Sequence, residues 1–253
     1  MKKLNLYTVT IVVSFLMCQL SVALADDASW EHTTLRQGRT LEMTARGLCA
    51  DQLGHLHLAY GESDLFYGYY DGSTWNMQCV DDMSAIGQGA SIQVDSSGNP
   101  WICYLDHRTA TLKLARKQGT GWDISIIDEQ VLLTVTPTIK LDTNDLPHVS
   151  YAKPGDTDRV MYAKLSGAAW EFHDLGELAW KSYYPIHHCR LVLNSNQEPY
   201  IQCGDSGFYF LDGHWQSYPF PGNVFVTSEN RALHSLVVET YAIYRHQNVV
   251  RSG

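Results

Sequence analysis

Tryptophan recurs along the chain at Trp30, Trp75, Trp122, Trp170 and Trp215, at intervals of 45, 47, 48 and 45 residues. A period of this length implies that one supersecondary unit is used several times. A second motif keeps the same register. Asp51-Gln-Leu-Gly54-His-Leu-His57, Asp95-Ser-Ser-Gly98-Asn-Pro-Trp101, Asp142-Thr-Asn-Asp145-Leu-Pro-His148 and Asn194-Ser-Asn-Gln197-Glu-Pro-Tyr200 each open on Asp or Asn. Such a side chain bonds to nearby backbone N–H groups, and Gly, Asp or Gln follows where the chain must reverse. The four opening residues therefore read as turn-capping groups rather than catalytic carboxylates.

Alternating apolar segments flank each turn. Ser91-Ile-Gln-Val94 and Thr138-Ile-Lys-Leu141 precede it, and His57-Leu-Ala-Tyr60, Trp101-Ile-Cys-Tyr104 and His148-Val-Ser-Tyr151 follow, the period of half-buried strands. A third strand is expected at Leu65–Tyr69, Leu112–Ala115 and Val160–Ala163. Gly72-Ser-Thr-Trp75, Gly119-Thr-Gly-Trp122, Gly167-Ala-Ala-Trp170 and Gly213-His-Trp215 then make a second tight hairpin. The tryptophan opens the fourth strand with an apolar body that can pack between repeats, so Trp75, Trp122 and Trp170 are expected to be largely buried. His57, Trp101, His148, Tyr200 and Tyr241 share one position, which reads as a repeated packing role.

Four strands per repeat define the blade of a β-propeller. Complete copies cover 38–82, 83–130, 131–178 and 179–223. A fifth, 224–253, has a first strand near Arg231 to Val238 but no closing tryptophan, while Trp30–Leu35 has a fourth strand's pattern with no blade before it. The fold expected is all-β: a five-bladed propeller of four-stranded antiparallel blades, closed by residues 27–37 joining the C-terminal blade, which removes an exposed sheet edge. A piece of a six- or seven-bladed ring is the rival account.

The first 25 residues carry Lys2 and Lys3, an apolar run, and Ala23-Leu24-Ala25, the pattern of a secretory signal cleaved before Asp26. Residues 26–253 would then form one exported domain, secreted or periplasmic. The net charge of −9 becomes −11 without those lysines, and no basic run is present, which argues against nucleic acid as a partner. No later stretch is long enough to span a bilayer. Outside the signal, Cys49, Cys79, Cys103, Cys189 and Cys203 make an odd count, which leaves at least one free thiol or an intermolecular bond. They fall on different strand positions, so buried free cysteines are expected, and no Cys/His cluster has the spacing of a metal site.

The hairpin in the style of Asp95-Ser-Ser-Gly-Asn-Pro followed by Gly-x-x-Trp resembles the repeats of bacterial exported propellers of the sialidase-like and fucose-lectin-like kinds. The resemblance implies architecture rather than activity, since propellers host binding proteins and many unrelated enzymes. The sialidase motif Ser-x-Asp-x-Gly-x-Thr-Trp is met incompletely: Asp71-Gly72-Ser73-Thr74-Trp75 is one residue short, and Trp122 and Trp170 lack the aspartate.

Residues just upstream of each first strand should face one end of the central channel. They include Arg46, Gln88, His187, His188, Arg190, Arg231 and His234, cationic or hydrogen-bonding groups able to meet carboxylates or sugar hydroxyls. The connection into the fourth repeat adds Trp180, Tyr183 and Tyr184, whose rings can stack on a pyranose. No catalytic residue, metal ligand or cofactor motif stands out, and no carboxylate pair is singled out for glycoside hydrolysis. The expected function is a non-catalytic, lectin-like or adhesive protein that binds a glycan or other small polar extracytoplasmic ligand at the channel mouth or between blades. A carbohydrate-active enzyme (glycosidase or lyase) and a protein-interaction scaffold are the alternatives.

Overall fold

The computed structural model describes residues 46–61, 63–83, 89–179, 187–219, 223–226 and 232–235. The proposed N-terminal strand Trp30–Leu35, along with Tyr241, lies outside them. The described chain is all strand and turn. β1 (Leu48–Ala50), β2 (Leu56–Tyr60), β3 (Leu65–Tyr70) and β4 (Trp75–Asp81) form a first antiparallel sheet in sequential order. A second contains β5 (Ser91–Val94), β6 (Pro100–Asp106), β7 (Thr111–Gln118) and β8 (Gly121–Glu129). After the two-residue β9 (Val135–Thr136), the third contains β10 (Thr138–Leu141), β11 (Pro147–Lys153), β12 (Arg159–Ser166) and β13 (Ala169–Glu177). The fourth runs through β14 (His187–Leu193), β15 (Pro199–Cys203), β16 (Ser206–Leu211) and β17 (His214–Pro219), and β9 joins its inner edge parallel to β14. A hairpin of β18 (Asn223–Val226) and β19 (Ala232–Ser235) comes next; the strand expected near Arg231 is thus present, paired with the segment before it. Four four-stranded antiparallel meanders in series are consistent with the blades of a propeller.

The capping residues fix the first hairpin of every sheet. Asp95 Oδ1 accepts from Ser97 N at 3.0 Å and Asn99 N at 2.8 Å, and Asp51, Asp142 and Asn194 make the same pair of bonds. Three residues on, the backbone enters the left-handed region, with φ of 82° at Gly98, 61° at Asp145 and 64° at Gln197. A side chain in that region costs roughly 1 kcal/mol or more. At Asp145 and Gln197 it is offset by a bond to the preceding sheet: Asp145 accepts from Ser96 N at 2.9 Å, and Gln197 Oε1 from Thr143 N at 3.1 Å.

The apolar cores lie between neighbouring sheets. One gathers Tyr67, Val80, Ile92, Ile102 and Tyr104 from the first and second sheets, a second joins Trp101, Leu105, Leu112, Ile139 and Tyr151, and a third joins Val160, Tyr162, Leu191, Ile201 and Phe208. Trp122, Trp170 and Trp215 each pack on the core shared with the sheet before, and the Trp122 and Trp215 rings stand edge-on to Tyr67 (5.2 Å) and Tyr162 (5.0 Å). They are half-buried rather than largely buried, as is Trp75, because the fourth strand is the outermost and leaves one side of each ring to solvent. Polar links repeat between sheets as well. Tyr104 OH donates to Asp81 at 2.8 Å and Tyr151 OH to Asp128 at 2.5 Å, each aspartate lying on the outer strand of the preceding sheet.

The cysteines correct the sequence expectation. Cys189 and Cys203 stand directly opposite on β14 and β15 and form a buried disulfide. Their strand register, invisible in the spacing alone, makes them partners. Cys103 is buried and free, Cys49 is half-buried, and Cys79 is exposed.

Replacing Trp122 with alanine should destabilise the fold by about 3 kcal/mol, the low end for a large aromatic because the ring is only half-buried. The urea midpoint of the Trp122→Ala variant measures this.

Candidate functional site

The residues named from sequence fall into three groups. Arg46 and His188 meet. The Arg46 guanidinium donates to Thr136 Oγ1 at 2.6 Å and lies 2.7 Å from His188 Nδ1, which is itself 2.5 Å from the Thr136 hydroxyl. The β9–β14 pairing sets His188 opposite Thr136 and brings the start of the fourth sheet beside the chain leading into the third, where Arg46, just ahead of the first sheet, reaches both side chains. Arg190 lies two residues further along β14, opposite Gln202. His187 and His234 stand on β14 and β19, paired with Val135 and Val224. Gln88, Trp180, Tyr183, Tyr184 and Arg231 lie outside the described residues.

Sequence reasoning missed a cleft of about 670 Å³ between the first and second sheets. β2 and β3 supply His55 at its edge, His57, Tyr67 and Tyr69, β4 supplies Asn76 to Gln78, the second sheet's turn supplies Ser97 to Pro100, and the end of β7 supplies Lys117. Residues two apart on a strand share a face, so Tyr67 and Tyr69 point together. The Tyr69 ring stands edge-on to His57 at 5.2 Å and to His55 at 5.5 Å, and its hydroxyl is 3.0 Å from His55 Nδ1. Leu53 and Met77 add exposed apolar surface at the rim.

A buried Asp–His–Tyr chain underlies this wall. His57 Nδ1 is 2.7 Å from Tyr67 OH, and its Nε2 is 3.5 Å from Asp51 Oδ2. Burial disfavours the Asp51 carboxylate, but bonds from the His55 amide and ring, from His57 and from Leu53 N outweigh it and hold its pKa below the usual range. Burial pushes the His57 pKa down against the pull of Asp51. The third sheet repeats the chain: His148 Nδ1 is 2.6 Å from Tyr162 OH and Nε2 is 3.5 Å from Asp142. Burial, then the charge of Lys164, lower the His148 pKa to about 4 despite Asp142. In the second sheet Trp101 takes the histidine's place and donates to Asp95 at 3.1 Å.

What differs is the residue opposite on the third strand. Trp101 faces Arg116, whose guanidinium covers the indole at 4.3 Å. His148 faces Lys164, which reaches to 3.8 Å from Asp142. His57 faces Tyr69, a flat ring in place of a long cation. The signal was present in the sequence as Tyr69, Arg116 and Lys164 in register, but only the pairing reveals that a ring stands across from His57 where a cation stands across from Trp101 and His148.

No protein-family model matches the sequence, and no curated protein matches it. Among solved structures the chain is similar to a fucose lectin from Kordia zhangzhouensis in complex with methyl-fucoside, at 19% identity over 50% of this chain and 95% of that one, with a TM-score of 0.37. It is similar to a Hadza microbial sialidase, of which it spans 46%, at 13% identity over 70% of this chain and a TM-score of 0.44. It is also similar to a Dyadobacter fermentans protein of unknown function, at 10% identity over 76% and 75% of the two chains and a TM-score of 0.47. Among the described residues, no group of three His, Cys, Asp or Glu is placed to hold a metal, and no helix is long and apolar enough to cross a membrane.

Because His148 titrates lower in the folded chain than the ordinary 6.5, the unfolded chain binds more protons between about pH 6.5 and 4. Its contribution to stability is complete above pH 6.5 and is lost as the pH falls through that window. Urea midpoints across this range should fall more steeply for the wild type than for a His148→Gln variant.

Proposed function

We propose that this chain is an exported, non-catalytic, lectin-like protein that holds a glycan or other small polar ligand in the cleft between its first and second sheets. The observation that carries the proposal is the half-exposed pair of rings Tyr69 and His55, backed by the buried His57 and set beside the hydrogen-bonding side chains of Asn76, Gln78 and Asn99. A sugar needs both: apolar C–H faces settle on rings, and hydroxyls need donors and acceptors of fixed direction. Of the lining residues Asp51 is the one carboxylate, and its oxygens already accept from Leu53 N, His55 N and the His55 ring. Hydrolysis by a facing pair of carboxylates therefore has no support in the cleft, which favours binding over turnover.

Export is supported by the signal-like N-terminus and by the Cys189–Cys203 disulfide, a bond at home in an oxidising compartment. The ring we propose has five blades, the β18–β19 hairpin opening the fifth and Trp30–Leu35 supplying its outer strand. In this reading Arg46, Thr136 and His188 join the inner strands around the channel, and ligand contact falls to the cleft between blades.

Isothermal titration of glycans identified on an array should give binding without release of reducing sugar. His55→Ala and Tyr69→Ala should each weaken it about fivefold or more with little change in the unfolding midpoint, the loss of one polar or stacking contact being worth about 1 kcal/mol or more. A His188→Ala, Arg190→Ala double variant should bind as the wild type does; if it alone loses binding, the channel mouth is the site. For the ring, Trp30→Ala should lower the urea midpoint about as much as Trp122→Ala, and an unchanged midpoint would exclude Trp30 from a blade.

A further inference from the structure

Lys117 closes one end of the cleft, and its surroundings differ from those of Lys113, Lys153 and Lys164. Lys113 Nζ lies 2.8 Å from Asp106, Lys153 Nζ 2.9 Å from Asp128, and Lys164 Nζ 3.8 Å from Asp142. Lys117 meets neutral groups instead. Its ammonium donates to Gln78 Oε1 at 2.6 Å and to the Thr120 carbonyl at 3.4 Å, and it lies 5.2 Å from the centre of the Trp122 ring. No carboxylate among the described residues comes within 4.0 Å of it, although the chain carries 27 acidic residues against 18 basic ones.

The ammonium is also held in place. Gln78 Nε2 donates to the Thr120 carbonyl at 3.2 Å, which turns its Oε1 towards Lys117 and ties the outer strand of the first sheet to the β7–β8 turn of the second. Burial pushes the Lys117 pKa below its ordinary value, the mark of a charge partly withdrawn from water. Such a charge, fixed by neutral acceptors, gains most when an anion completes its surroundings. Asp51 lines the same cleft with the opposite sign, so an anionic ligand has a direction: its charged group is drawn to Lys117 and held away from Asp51, and its hydroxyls are left for Asn76 and Asn99.

We infer that the ligand of this cleft is an acidic saccharide, one whose carboxylate or sulfate group is received by Lys117 while the sugar ring lies along Tyr69 and His55. The inference rests on the reading of the cleft as a glycan site and adds the charge of the glycan.

The test is titration of the full chain with a galacturonic acid oligosaccharide and with its methyl ester, a pair that differs in the charge of the carboxyl groups. A sulfated galactan fragment and its desulfated form are run alongside, so that the two anions are compared. The charged member of at least one pair should bind about tenfold tighter, a preference that shrinks as salt is raised. Lys117→Gln should abolish the preference and Lys117→Arg should keep most of it. If charged and neutral members bind equally, and Lys117→Gln leaves both unchanged while Tyr69→Ala weakens both, the acidic ligand is ruled out and the glycan cleft stands. If the preference survives Lys117→Gln, the charge is read elsewhere and the assignment to Lys117 is wrong. If a folded chain binds none of the four sugars and gives no response on a broad neutral array, the glycan reading falls and the inference with it.

Discussion

The carboxylate or amide that closes the first hairpin of each sheet governs strand register, core packing and the shape of the cleft. When Asp51, Asp95, Asp142 or Asn194 accepts from the amides two and four residues ahead, the turn is fixed to one length, and with it the register of the first two strands. That register places the sixth residue after each cap, His57, Trp101, His148 or Tyr200, on the same side of the second strand. In the first three sheets the same cap then bonds to, or lies against, the ring it has positioned. One side chain thus satisfies backbone N–H groups of the turn, sets the pairing, and in the first three sheets orients the ring six residues on.

Sheets of this kind bury apolar surface only against one another. The repeated connections between neighbours hold the stack in register: Asp145 and Gln197 reach back to the preceding turn, and Tyr104 and Tyr151 reach to aspartates on the preceding outer strand. At the inner strands the backbone of Ile92 donates to Arg46 O, and Thr138 bonds to the carbonyl of Cys189. Neighbouring sheets are therefore latched at the turn, the middle and the inner strand. Where Asp or Gln replaces glycine in a left-handed turn, the local strain is exchanged for a contact that glycine could not make.

The copies of the repeat differ at the residue across from the ring on the second strand. Arg116 lies over Trp101, and Lys164 approaches Asp142 beside His148, so the second and third copies close on themselves. Tyr69 occupies the same place in the first sheet and gives a flat wall instead of a cap. The cleft beside it is thus a departure at one position of the repeat. The fixed hydrogen bonds of the Asp–His–Tyr chain hold its walls in shape.

The tryptophan interval, the capped turn and the alternation of apolar residues determined the four-strand repeat, because each is a local rule of backbone geometry written in consecutive residues. The β2 to β4 strands, the second hairpin at Gly72 to Trp75 and the role of Asp95 could all be read that way. Pairing decided the rest. Cys189 and Cys203 are fourteen residues apart, and nothing in that interval marks them as partners until β14 and β15 are laid side by side. Arg46 and His188 were grouped by sequence as facing the channel mouth, yet they lie against each other through Thr136, a contact between residues 142 apart. The cleft depends on the side chain across from His57, on the sheet next door and on a lysine held by a glutamine from that neighbour. A linear chain carries such cross-strand and cross-sheet neighbours without displaying them, and only the tertiary structure decided where this protein has an open surface.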